Sequence, residues 1–168
     1  TAAVTPGSDA DDDAATSGFA CYAPTVGIPP ADWLGLTGGA IGQGIPAAAG
    51  AAVACPGRKV LCLSGDGAGM YTLQALWTQA REKLDVINIV FANRKYFILQ
   101  VELARVGAGN PGRRALDLLD IDNPELNWTQ MATGMGVNAV RVTDQDEFNR
   151  AFKAAVATKG PHLIEAMI

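Results

Sequence analysis

Two side chains in this sequence are of the kind that hold a hard cation. One is the carboxylate of Asp66, set in Gly65-Asp66-Gly67; the other is the amide of Asn93, 26 intervening residues downstream. The run Val60-Leu61-Cys62-Leu63 ahead of the first is apolar and strand-like, and the residues after it pass into a helical pattern. Two glycines let the backbone turn tightly and let a ligand approach it closely. The start of the following helix offers free amides and a partial positive charge, which favour phosphate. A carboxylate at that place repels a bare phosphate, and a divalent cation between the two removes the conflict. Magnesium takes octahedral oxygen ligands, commonly one or two protein groups together with substrate phosphates. Asp66, Asn93, one backbone carbonyl and a diphosphate supply such a shell.

These residues must be brought together by the elements that carry them. Val60 to Leu63 and Val86 to Phe91 read as buried strands, so Asp66 and Asn93 both follow the carboxyl end of a strand. That edge is where open parallel sheets bind ligands. Leu34 to Thr37 is expected as a short strand, Asn138 to Val142 as another and Leu163 to Met167 as the last. Helices are expected from the glycine run Gly38–Gly44 to about Ala54, over Met70 to Lys83, Phe97 to Val106, Asn127 to Gly134 and Asp144 to Thr158. In the second of these, Leu73, Leu76, Trp77 and Ala80 fall on one face and read as core. Residues 107 to 126 read as a long surface loop. Strands alternating with helices give an α/β fold, an open parallel sheet with helices on both faces. Residues 1–18, with the acidic run Asp11–Asp13, read as a solvated linker or tail, and 19–168 as the domain.

Composition narrows the function. The chain has 168 residues and a formal charge of −4 with scattered basic residues, which argues against nucleic acid as main partner. No run approaches the roughly 18 apolar residues of a membrane span, and the first residues, without a basic start or an apolar core, are not expected to act as a signal peptide. Cys21, Cys55 and Cys62 lack CxxC spacing and are expected as reduced thiols in a cytoplasmic protein. The absence of an initiator Met leads us to expect a trimmed chain or part of a longer product.

Gly65-Asp66-Gly67 with Asn93 at this spacing resembles the signature of thiamine diphosphate-dependent enzymes, usually written Gly-Asp-Gly followed by a paired Asn-Asn. Gly38-Gly39-Ala40-Ile41-Gly42-Gln43-Gly44-Ile45-Pro46-Ala47-Ala48 is similar to that family's segment beside the aminopyrimidine ring. Asp13-Ala14-Ala15-Thr16-Ser17 is similar to the segment that reaches the far end of the diphosphate. The likeness is to the diphosphate-binding (PP) domain of the acetolactate synthase and benzoylformate decarboxylase group. It implies thiamine diphosphate and Mg2+ as cofactors. By that likeness Asp66 and Asn93 are expected to ligate the metal through side chains and Lys95 through its carbonyl. Gly67 and Ala68, beside Gly65, would offer amides to the diphosphate, and Thr16 would hydrogen-bond a phosphate oxygen. The Gly39 carbonyl would accept from the amino group, Ile41 would be the apolar wedge that bends the cofactor, and Tyr96 would line it. It further implies a 2-oxo acid substrate, decarboxylation with or without carboligation, and a dimer or tetramer.

The chain departs from the family pattern in places. Ala92 stands where the first paired Asn is usual, Arg94-Lys95 replace small residues, and Phe97-Ile98-Leu99 begins bulkier. Arg94 is open to two readings, a steadying group for a phosphate or a solvent-facing side chain. No catalytic residue is assigned within the chain. The resemblance implies an activating glutamate on a separate pyrimidine-binding domain, from the same precursor or another chain, and none of Glu82, Glu102, Glu125, Glu147 or Glu165 has an equivalent context. The second reading is a non-catalytic or split-subunit module that serves in assembly. A nicotinamide fingerprint fails because Ala47 stands in place of the third glycine after Gly42-Gln43-Gly44. His162 is expected as a surface or strand-end residue, and Trp33 and Trp128 as packing.

Overall fold

The computed structural model describes residues 9–14, 17, 18, 21, 23–25 and 29–168. Six strands form one sheet: β1 (Asp9–Asp13), β2 (Asp32–Gly35), β3 (Val60–Gly65), β4 (Val86–Ala92), β5 (Asn138–Val142) and β6 (His162–Met167). Their spatial order is β2-β1-β3-β4-β6-β5 and every neighbouring pair is parallel. The longer helices are α1 (Gly44–Ala54), α2 (Ala75–Arg81), α3 (Phe97–Arg105), α4 (Trp128–Gly134) and α5 (Gln145–Ala157).

Alternation along the central strands builds two cores. Val60, Cys62, Val86, Val90 and Leu163 face one side, where Ile45 and Ala48 of α1, Leu76 of α2 and Trp128 of α4 close over them. Leu61, Leu63, Ile87, Ile89 and Ile164 face the other, under Phe152 and Ala155 of α5. Both faces are covered, which is why these strands read as mostly apolar runs. On the first face a reciprocal amide pair is buried: Gln79 and Asn88 exchange hydrogen bonds of 3.2 and 2.7 Å. Gln79 also donates to the Ile45 carbonyl at 3.2 Å and Asn88 to that of His162 at 3.0 Å. The pair thereby ties α1 and α2 to β4 and β6.

The topology fixes where a ligand can sit. The chain leaving β1 goes to β2 on one side, and the chain leaving β3 goes to β4 on the other. Their carboxyl ends diverge there and leave a crevice, the expected binding place in such a sheet.

Several elements differ from the sequence reading. Asp9–Asp13, expected within a solvated tail, is an interior strand between β2 and β3. Asp13 is 2% exposed, and its Oδ2 accepts from the N–H groups of Gly42 at 3.0 Å and Gly44 at 3.1 Å. Two backbone donors and the positive end of α1 compensate its burial. The second strand runs Asp32–Gly35 rather than Leu34–Thr37. The glycine run precedes α1 rather than opening it: Thr37–Gly39 is a 3-10 turn, Gly42 has φ of +88°, and the helix starts at Gly44. Of the helix expected over Met70–Lys83 only α2 forms; turns occupy 70–74, after a separate single helical turn at Asp66–Gly69. Trp77 is 52% exposed rather than core, with the Arg81 guanidinium 5.5 Å from its ring centroid. Within 107–126 a helical turn forms at Arg113–Asp117, and the Asp120 backbone makes an isolated antiparallel β-bridge with that of Lys95.

Replacing Asp13 by Ala orphans two buried amides at once. We expect a loss of about 1–3 kcal/mol, read as a lower urea midpoint, with Asp13→Asn losing less because its amide oxygen still accepts.

Candidate functional site

β3 and β4 are neighbours with Gly65 opposite Phe91, so Asp66 and Asn93 emerge side by side at the same edge of the sheet. Asp66 begins a single helical turn directly after the extended Gly65 and is 3% exposed. Its Oδ1 accepts from its neighbour Gly67 N–H at 2.9 Å, and its Oδ2 accepts from the Arg94 N–H at 2.7 Å. One carboxylate therefore ties the end of β3 to the end of β4. Burial raises its pKa above the ordinary carboxylate value; the Arg94 and Gly67 amides oppose that, and the negative charge of Glu165 adds to it. A cation at Asp66 would relieve what burial costs.

The β4 loop is held in an unusual turn. Arg94 has φ of +59°, a left-handed conformation uncommon for a residue with a side chain. Asn93 Oδ1 accepts from the Lys95 N–H at 3.0 Å across this turn. The Arg94 carbonyl accepts from Ile121 N–H at 3.0 Å, and Tyr96 N–H donates to the Leu119 carbonyl at 2.8 Å.

Asp66, Asn93, Lys95, Gly65, Gly67, Ala68, Ile41 and Tyr96 all line one narrow cleft of about 40 Å³, with Ala14 and Ser17 from the end of β1 and Phe97 and Ile98 from α3. The cleft lies at the divergence of β1 and β3. Gly39 is not part of its lining; it sits in the exposed turn before Ile41, and its carbonyl accepts the Ile41 N–H at 2.8 Å. Thr16 lies outside the described residues. Ile41 is 37% exposed, an apolar side chain standing at the mouth. Of the two amides assigned to a diphosphate, that of Gly67 is shared with Asp66. A larger groove of about 500 Å³ runs along β5 and α5 and contains none of these residues. Chemistry and volume thus point to different places, and the donor set decides for the smaller.

The residues fit a magnesium–diphosphate group. They combine a buried carboxylate, an amide oxygen and a bare glycine backbone at a helical turn. A Cβ on Gly67 would come within 2.6 Å of Tyr96 Cδ1, so the ring lies directly on that backbone. Ala92, in place of the usual Asn, is 3% exposed, lies at the end of β4 and does not line the cleft.

Some participants were beyond sequence reasoning. The Arg94 side chain is partnered by protein: its Nη2 meets Glu125 Oε1 at 2.7 Å. Glu125 also takes Arg141 Nη1 at 3.0 Å, and Arg141 pairs through Nε and Nη2 with both oxygens of Glu165, each at 3.0 Å. Glu165 is 1% exposed. Only its placement in an otherwise apolar final strand hints at a partner.

The family model for "Thiamine pyrophosphate enzyme, C-terminal TPP binding domain" matches residues 20–166. The chain is 55% identical over 158 residues to a Mycobacterium tuberculosis protein named "Putative acetolactate synthase large subunit IlvX", covering 94% of this chain and 31% of that protein. It is 34% identical over 139 residues to benzoylformate decarboxylase of Pseudomonas aeruginosa, covering 81% of this chain and 24% of that enzyme. The crystal structure of benzoylformate decarboxylase from Polynucleobacter necessarius superposes with a TM-score of 0.81 at 27% identity, over 98% of this chain and 30% of that one. The chain thus spans about a third or less of the length of these relatives.

Tyr96 reports on the cleft. Burial, then the charges of Tyr71 and Asp66, raise its phenol above the usual value. Gly67→Ala must push the ring outward, so its titration should move down toward the ordinary tyrosine value. Phenolate absorbance against pH, with Tyr96→Phe identifying the transition, checks this.

Proposed function

The chain belongs to the thiamine pyrophosphate enzymes as their C-terminal TPP-binding domain, and from that membership we propose that it forms the diphosphate-and-magnesium half of a 2-oxo acid decarboxylase or carboligase active site. The observation that carries the proposal is the convergence of Asp66 and Asn93, from adjacent strand ends, on one cleft with the Gly67 backbone and the Lys95 segment. In this reading Asp66, Asn93 and the Lys95 carbonyl ligate Mg2+. The amides of Gly67 and Ala68, next to Gly65, approach the diphosphate. Ile41 supports the bend of thiamine diphosphate, the Gly39 carbonyl accepts from its amino group, and Tyr96 covers one side. Thr16 would take a phosphate oxygen. When bound, the cofactor supplies the electron sink for cleaving the bond next to a 2-oxo acid's carbonyl, and the protein supplies orientation and electrostatics.

The size of the cleft bears on partners. Enclosing sites for cofactor-sized molecules run to roughly 300–1,000 Å³, against about 40 Å³ here. That volume suits an ion with part of its shell. The remaining walls are proposed to come from a pyrimidine-binding domain, on the same precursor or another chain, in a cytoplasmic dimer or tetramer. That domain also contributes the activating glutamate. The alternative of a non-catalytic assembly module rests on Ala92, and its burial away from the cleft weakens that support.

The test is thermal unfolding of the protein together with its pyrimidine-domain partner. Ligand at about a hundred times Kd should stabilise by about 2.7 kcal/mol, a rise in Tm of roughly 5–10 °C for a domain of this size. Mg2+ and thiamine diphosphate together should produce this rise, and either alone should produce little of it. Asp66→Ala should abolish the gain and Asn93→Ala should weaken it. A wild-type protein whose midpoint is indifferent to both ligands would overturn the reading.

A further inference from the structure

We propose that the chain of charges Arg94–Glu125–Arg141–Glu165 is a positioning device. It clamps the β4 loop in the one conformation that offers Asn93 and Lys95 to the same ion as Asp66. This deepens the preceding proposal and rests on it for the identity of the ion.

Arg94 is the residue the device acts on. Its left-handed backbone is a conformation that persists where surrounding contacts over-determine it. Each of its polar parts is engaged: its N–H by Asp66 Oδ2, its carbonyl by Ile121 N–H and its guanidinium by Glu125. The last two contacts come from the segment between α3 and α4, whose Asp120 backbone stands opposite Lys95 in the short antiparallel bridge that the Ile121 and Tyr96 N–H groups form. That segment is therefore a strap across the candidate metal loop rather than a free surface loop. Glu125 is the end of the strap, and alone it would be a poor anchor, since both it and Arg94 are nearly half exposed. Its second partner changes this. Arg141 is doubly bonded to Glu165, and Glu165 is fully enclosed in β6. Arg141 also donates to the Leu126 carbonyl at 3.4 Å. The strap is thus bolted to the β5–β6 pair at one side of the sheet, and Arg94 is bolted to the strap.

Partners outside a ligand set that orient the ligands typically change metal affinity by 10–100-fold when removed. Glu125→Gln and Arg94→Met, in the full protein with its partner, should each weaken Mg2+ binding at saturating thiamine diphosphate by about tenfold or more. Arg94→Lys should retain most of the affinity, because the contact with Glu125 runs through a single nitrogen. The double variant Arg94→Met/Glu125→Gln should lose no more than either single one, the mark of one shared interaction. Glu102→Gln, which breaks a more exposed pair with Arg105 on α3, should leave binding unchanged. In the metal-free protein, amide exchange at Arg94 should accelerate in Glu125→Gln. Unaltered Mg2+ affinity, strictly additive losses or unaltered exchange at Arg94 would each overturn the clamp. Should wild-type protein bind neither ligand, the reading of the cofactor fails instead, and exchange at Arg94 alone then decides for or against the clamp. Arg141 is left in place throughout, because removing it strands a buried carboxylate and threatens the fold.

Discussion

The arrangement turns on one buried carboxylate with two jobs. Asp66 accepts a backbone amide from its own turn and another from the loop beyond the neighbouring strand. Enclosing a charge costs several kcal/mol even after relaxation, and a hydrogen bond to a charged group contributes only about 1.5–3 kcal/mol. Burial wins that contest, which is why the carboxyl is harder to ionise than usual. Such a site would gain from a positive charge placed beside it. It is also stiff, because the group that would meet the cation is the group that joins two strand ends.

Around this carboxylate the chain uses side-chain absence as much as presence. The Tyr96 ring lies on the bare backbone of Gly67, and Trp128 approaches Gly69 so closely that a Cβ there would stand 2.7 Å from the indole. The first contact shapes the cleft wall; the second lets α4 sit hard against the turn that carries Asp66. Asp13 repeats the logic on the other side of the crevice, where a buried carboxylate fixes the amides of Gly42 and Gly44 and so the approach to Ile41.

The sheet centre and the metal-ligand candidates were legible in the sequence for local reasons. Val60–Leu63 and Val86–Phe91 are apolar runs too short for anything but buried strands, and Asp66 and Asn93 follow them directly. What was illegible depends on partners distant in sequence. Nothing near Asp9–Asp13 announces that the amides answering Asp13 lie some thirty residues on. Trp77 has helical spacing with Leu73 and Ala80, yet Leu76 alone of that face is fully buried, and the indole keeps Arg81 for company at the surface. Glu125, Arg141 and Glu165 are ordinary charged residues until three separate elements put them in line.

The interior position of β1 has an outcome for handling the molecule. β2 reaches the sheet only through β1, and β3 has β1 as its sole neighbour on that flank. Trimming the amino end through β1 would therefore set β2 adrift, leave β3 with a raw edge inviting intermolecular pairing, and remove one bank of the crevice. Tags or protease sites belong upstream of that strand.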